Sequence, residues 1–124
     1  MESIYYISLD TNAGGDFYLL LSDFLDAFYR TAPEHRAELI REQPADMDRP
    51  EYVPFLASTA HKLANDYGLK PPLWTFERRC YLPGRKPHFA CDARGNLRLL
   101  FMYKSPPEFK HRNLFVDENV LMRV

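Results

Sequence analysis

The chain has 124 residues, of which 46% are hydrophobic and 15% aromatic, and its formal net charge is −1. This composition excludes a disordered chain, and the length predicts one domain over residues 1–124 with its own core. Two cysteines are too few for a disulfide framework, and neither a membrane-spanning run nor a signal-peptide pattern occurs, so we expect a cytoplasmic protein.

Charge divides the chain into an acidic helical half, residues 1–69, and a basic half, residues 70–124. The acidic half contains five basic and twelve acidic residues, whereas residues 70–112 contain ten basic and three acidic residues. Such asymmetry is typical of a basic segment that meets an anionic partner. It also arises when two halves fold together and neutralise each other, so both interpretations stay open.

Three elements begin the chain. The run "SIYYISL" predicts a short strand or an arm on the core, and "DTNAGGD" predicts a loop. Apolar residues recur at helical spacing in "DFYLLLSDFLDAFYR", which Asp16 can cap. We interpret Asp23 and Asp26 as the solvated side of this helix.

Two more helices follow in the acidic half. "TAPEHRAELIREQP" predicts a short helix in which Thr31 and Glu34 have the spacing of a capping box. "EYVPFLASTAHKLANDYG" predicts a helix with Pro54 in its first turn and Gly68 at its end.

The basic half is less regular. "PPLWTFERRCYLPG" predicts one short helix, and "HFACDARGNLRLLFMY" fits both a strand pair around an "ARGN" turn and a helix. A lone hairpin is poorly stable, which favours the helix. The expected fold is therefore mainly α in a single domain, with at most one small β-hairpin in the C-terminal half and α+β as the alternative.

The stretch "SPPEFKHRN" predicts a last short helix. Ser105 is a suitable N-cap, Pro106 suits the first helical position, and Asp117 can cap a final turn. Glu108 and Arg112 have the i,i+4 spacing of an intrahelical ion pair.

No catalytic or cofactor fingerprint occurs, so we expect no cofactor and no metal, and the sequence favours a non-enzymatic role. The alternative is a small metal-binding or thiol-dependent enzyme. Its ligands or nucleophile would come from Cys80, His88, Cys91 and His111. Only one pair among them has close metal-ligand spacing, and the apolar neighbours of Cys80 are typical of a buried cysteine.

Basic side chains near aromatic residues are the remaining functional pattern. Several Lys or Arg side chains on one surface bind phosphate or an acidic protein, and exposed rings stack on bases. Consecutive residues on a helix lie about 100° apart, so positions 110–112 fan out and do not form a stripe. The candidate binding residues are Arg94, Arg98, Lys104, Lys110, His111, Arg112 and Asn113. We expect a protein partner or nucleic acid, with homodimerisation left open.

The end of the chain resembles a pattern in small uncharacterised bacterial proteins, some of them associated with toxin–antitoxin systems. The resemblance covers roughly residues 60–124, including "LKPPLW". It implies an accessory or antitoxin-like role rather than catalysis. The matching positions are Ser105, Pro106, Phe109, Arg112, Asn113, Phe115 and Val116.

Overall fold

A computed structural model describes residues 3–90 and 94–122, and its mainly helical architecture confirms the predicted fold class. The helices are α1 (Ile4–Asn12), α2 (Phe17–Arg30), α3 (Arg36–Arg41), α4 (Tyr52–Asp66), α5 (Asn96–Lys104) and α6 (Pro107–Lys110). The strands are β1 (His88–Phe89) and β2 (Leu114–Phe115), and 3-10 turns occur at Pro33–His35, Leu73–Phe76 and Arg78–Cys80. None of the helices in this described part is long and apolar enough to cross a membrane.

The N-terminal run is helix α1, so its prediction as a strand or an extended arm is wrong. Ile4, Ile7 and Ser8 are buried at i, i+3 and i+4, and this stripe faces the core. Packing against α2 outweighs the strand preference of isoleucine and tyrosine, which is strongly context-dependent. The predicted loop shortens accordingly and begins at Ala13.

Helix α2 forms as predicted. The Asp16 carboxylate accepts hydrogen bonds from the main-chain N–H groups of Tyr18 (3.0 Å) and Leu19 (3.2 Å). The capping box predicted for the next helix does not form, because the Thr31 hydroxyl donates back to the Ala27 carbonyl at 2.7 Å. The predicted short helix is split into the 3-10 turn at Pro33–His35 and α3.

Helix α4 is the central element of the fold. Ten of its fifteen residues are buried, and the small side chains of Ala57, Ser58 and Ala60 let neighbouring elements approach closely. Pro54 lies in the first turn, as predicted. At the other end Gly68 has a φ of +69°, and the Leu69 N–H donates to the Ala64 carbonyl at 2.8 Å, which closes the helix.

Irregular segments and two very short strands build much of the basic half. The single helix predicted over "PPLWTFERRCYLPG" is instead two 3-10 turns, and the buried Trp74 indole N–H donates to the Ile40 carbonyl at 3.1 Å. Strands β1 and β2 pair in parallel, with His88 opposite Leu114 and Phe89 opposite Phe115. Because α5 and α6 lie between the strands in sequence, their connection is a crossover and not a turn.

Ser105 is not the N-cap of the last helix, which begins one residue later than predicted, at Pro107. The buried Ser105 hydroxyl accepts from the Val116 N–H at 2.8 Å and donates to the Phe101 carbonyl at 2.5 Å. It therefore ties the end of α5 to the segment after β2. Asp117 accepts from the Asn119 N–H at 2.8 Å, which confirms the predicted final turn.

One main core draws on both halves of the chain, from Ile4 to Leu121. A second, much smaller cluster contains the buried rings of Phe101 and Phe115 with Phe89 packed against them. Charged contacts also join the halves, since the Arg79 guanidinium lies 3.1 Å from the Asp46 carboxylate. Part of the charge asymmetry is thus neutralised within the fold.

Candidate protein-interaction surface

Arg112 is buried, with only 1% of its surface exposed. Its guanidinium donates to the main-chain carbonyls of Thr75 (Nη2, 2.8 Å) and Glu108 (Nη1, 2.9 Å). The predicted ion pair with the Glu108 side chain does not form, because that carboxylate accepts from the Asn65 amide at 2.8 Å. Arg112 therefore stabilises the fold and presents almost no surface to a partner.

Burial and the charge of Arg112 together shift the pKa of its neighbour His61. Arg112 Nη1 lies 3.2 Å from His61 Nδ1, and its guanidinium carbon lies 4.9 Å from the centre of the Tyr81 ring. Burial, followed by the charge of Arg112, lowers the pKa of His61 below its ordinary value. Burial also lowers the pKa of Arg112, although a guanidinium stays protonated in proteins.

Asn113 anchors the loop that precedes β1. Its backbone has a φ of +61°, a conformation that asparagine tolerates better than most residues. The side-chain amide donates to the carbonyls of Pro83 and Lys86, the latter at 2.6 Å. Its half-buried side chain thus holds a loop in place.

The remaining candidate residues lie on the surface around α5. Lys110 Nζ donates to the Tyr103 carbonyl at 2.8 Å, which places its charge at the end of α5. Lys104 lies 3.9 Å from the Glu118 carboxylate, with both groups largely exposed. His111 is exposed just after α6.

Two arginines extend this basic character to the start of α5. Arg98 is exposed, and its guanidinium carbon lies 4.5 Å from the centre of the Phe89 ring. Arg94 is exposed immediately before the helix. The structure therefore gathers Arg94, Arg98, Lys104 and Lys110 around one helix, while Arg112 and Asn113 lie in the fold beneath.

Helix α5 exposes almost all of its apolar side chains. Of its nine residues only Phe101 is buried. A helix this short is marginal in water unless an apolar face is packed, and a contiguous exposed apolar patch is typical of an interaction site. Its other large apolar residues are between 39% and 79% exposed: Leu97, Leu99, Leu100, Met102 and Tyr103. These five residues and the four basic ones around them are termed the α5 surface.

The sequence pattern indicated the basic residues of this surface but not its apolar ones, which it placed on a strand or a helix with no role in binding. A detectable signal was present. Between Leu97 and Tyr103 only Arg98 is polar, so the helix has no polar face. A helix that is apolar all round is buried by the protein or by something else.

The alternative site built on cysteine and histidine has little support in the geometry. Cys80 is fully buried, its thiol lies 3.2 Å from the Trp74 carbonyl, and burial raises the pKa of that thiol. His88 is half-buried in β1, whereas Cys91 lies outside the described residues. Over 3–90 and 94–122 no group of three or more His, Cys, Asp or Glu side chains is arranged to hold a metal ion.

A cleft of about 350 Å³ lies between α1 and α2 in the acidic half. Its lining includes Asp10, Asp23, Asp26 and Arg30, and none of the predicted binding residues. Asp23 is exposed, as expected for the solvated side of α2.

No protein-family model matches the chain, and no curated protein and no solved structure matches it either.

Proposed function

We propose that this protein is a non-enzymatic interaction or regulatory module that binds an acidic protein partner through the α5 surface. The observation that carries the proposal is a nine-residue helix that buries one side chain and exposes five large apolar ones. Burial of apolar area supplies the affinity, and the surrounding cations select an acidic partner and speed its encounter.

A protein partner fits the α5 surface better than nucleic acid does. Four of the five exposed apolar residues are aliphatic, and base stacking uses aromatic rings. Arg112 is buried, and part of the positive charge of Lys104 is offset by Glu118. Fewer cations are thus available for phosphates than the sequence suggests.

The same proposal includes a cytoplasmic location and an accessory or antitoxin-like role. The role is the one implied by the resemblance of the C-terminal segment to small bacterial proteins, some of them associated with toxin–antitoxin systems. An exposed apolar helix with a basic rim is suited to binding another protein.

Affinity capture from nuclease-treated native-host lysate tests this function. The baits are the unaltered chain, a Leu99→Ala/Leu100→Ala variant and an Arg98→Glu/Lys104→Glu variant. Leu99 and Leu100 are exposed, so their substitution should change stability by no more than about 0.5 kcal/mol. Because Arg98 packs over Phe89 and Lys104 lies beside Glu118, urea denaturation should first establish that the charge-reversal variant is folded. We expect an acidic protein to be retained by the unaltered chain and lost from both variants, as measured by quantitative mass spectrometry.

Matched controls place the same changes elsewhere. Leu73→Ala removes a leucine that is 87% exposed, and Arg49→Glu reverses an exposed charge in the acidic half. Both controls should retain the partner. The proposal is contradicted if the α5 substitutions leave capture of the protein unchanged. It is also contradicted if the chain captures no protein but is retained on heparin and DNA in a salt-sensitive way.

A further inference from the structure

An apolar groove of about 250 Å³ lies beside α5. It runs between α2 and the segment that follows β2, and Phe101 of α5 forms one wall. The other apolar and aromatic walls are Tyr18, Leu21, Leu25, Phe55, Ala90, Val116 and Val120. Ser22 and Asp117 are polar groups on the lining, and Asp117 already accepts the Asn119 N–H.

The size and chemistry of the groove fit a side chain better than a cofactor. Small-molecule sites usually occupy roughly 300–1,000 Å³, which exceeds the volume of this groove. A dry apolar cavity of on the order of 150 Å³ already holds a benzene ring. The groove therefore has room for one or two large apolar side chains.

The groove adjoins the α5 surface, because Phe101 lines the groove and lies on the helix that carries the exposed leucines. Its ring packs with Phe115 in the small core and also lines the groove. A partner segment that covers the exposed leucines of α5 can therefore place an apolar side chain in the groove. Central anchors of this kind, in a pocket surrounded by weaker contacts, dominate the energetics of many interfaces.

Charge decides which occupant the groove takes. Arg98, Lys104 and Lys110 lie around α5, whereas Glu118 beside Lys104 and Asp117 on the groove lining are acidic. Two copies that met symmetrically through α5 would bring these cations together, which costs free energy. A partner with acidic residues beside its apolar anchor has the opposite and favourable complementarity.

Resting on the function proposed above, we infer that the groove binds a large apolar anchor side chain from an acidic, amphipathic segment of the partner protein. Acidic residues of that segment lie against the cations around α5. The anchor removes from water the apolar walls supplied by α2, α5 and the segment after β2.

Selection from a displayed library of random peptides tests this assignment. We expect selected peptides to combine acidic residues with large apolar residues at helical spacing. A selected peptide, labelled for fluorescence anisotropy, should then bind at least about tenfold more weakly to Ser22→Phe, which fills the groove from α2. Leu19→Phe enlarges a 62% exposed residue on the same helix that does not line the groove, and should bind normally.

The outcomes separate this inference from the proposed function. Binding that is lost in Arg98→Glu/Lys104→Glu but unchanged in Ser22→Phe contradicts anchor binding in the groove and supports partner binding at the α5 surface. Binding that is unchanged by the α5 substitutions contradicts both the groove inference and the proposed function. Failure to select acidic peptides, or a concentration-dependent homodimer that Ser22→Phe abolishes in sedimentation experiments, also overturns the assigned occupant.

Discussion

At the residue scale, Arg112 joins three elements from within the core. One guanidinium contacts His61 of α4, Glu108 of α6 and Thr75 of the turn at Leu73–Phe76. Burying a cation costs free energy that hydrogen bonds must offset, and here two main-chain carbonyls and a histidine nitrogen accept from the two Nη groups, while the buried Nε has no acceptor among the described residues.

Replacing Arg112 should unfold the protein more easily rather than weaken binding directly. In Arg112→Ala two buried carbonyls lose their donor, and each such loss costs roughly 1–3 kcal/mol. We expect the free energy of unfolding, measured by urea denaturation, to fall by about 2–4 kcal/mol. His111→Ala, at the exposed neighbour, should be nearly neutral. A stable Arg112→Ala variant that loses its partner would assign Arg112 to binding after all.

The contact between Arg112 and His61 predicts a pH dependence with a definite sign. Because arginine can only donate, His61 Nδ1 accepts and the neutral ring carries its proton on Nε2. The pKa of His61 is lowered in the fold, while in the unfolded chain it is about 6.5. The unfolded chain therefore binds this proton more readily. The stabilisation that neutral His61 contributes to the folded state is fully present above about pH 6.5 and is lost as the pH falls below that value.

NMR titration of the folded protein should give His61 a pKa below its ordinary value, with Nε2 protonated in the neutral form. The negative charge of Glu108 and the positive charge of His111 also act on His61, in opposite directions. Below about pH 6.5, the urea midpoint should decrease with falling pH less steeply in His61→Gln than in the unaltered chain. Identical slopes, or a pKa at or above the ordinary value, would contradict this coupling.

At the element scale, the elements with complete local signals form as predicted and those that depend on distant partners do not. Helices α2 and α4 have long apolar stripes. Asp16 caps the start of α2, and Gly68 closes the end of α4, both as expected. Thr31 and Ser105 have cap-like sequences, yet their hydroxyls bond elsewhere. Local spacing shows that a cap is feasible but does not show which acceptor lies nearest in the fold.

Helix α5 should be the least stable helix relative to its length, because Phe101 is its only buried side chain. Phe101→Ala removes most of the small core, so we expect amide exchange in α5 to accelerate by about tenfold or more while α4 stays protected. Leu99→Ala, which changes an exposed side chain of the same helix, should leave the exchange of α5 unchanged. Equal loss of protection in α4 would show that α5 is part of the main cooperative unit.

At the scale of the whole molecule, the basic residues divide into those that serve folding and those that lie on the surface around α5. Arg79 pairs with Asp46 across the halves, and Arg112 is buried among neutral groups, so part of the basic charge serves folding. Arg94, Arg98, Lys104 and Lys110 remain on the surface around one exposed helix. Contacts within the fold, internal neutralisation among them, therefore account for the first group, and the proposed acidic partner would contact the second.

The sequence by itself determined the mainly helical class, the bounds of α2 and α4, and the basic character of the segment around α5. Those properties depend on periodicity and capping, which act over a few neighbouring residues. Only the tertiary structure decided that Arg112 is buried and that the leucines of α5 are exposed. Burial depends on contacts between distant residues, such as Arg112 with Thr75, and local spacing does not encode them.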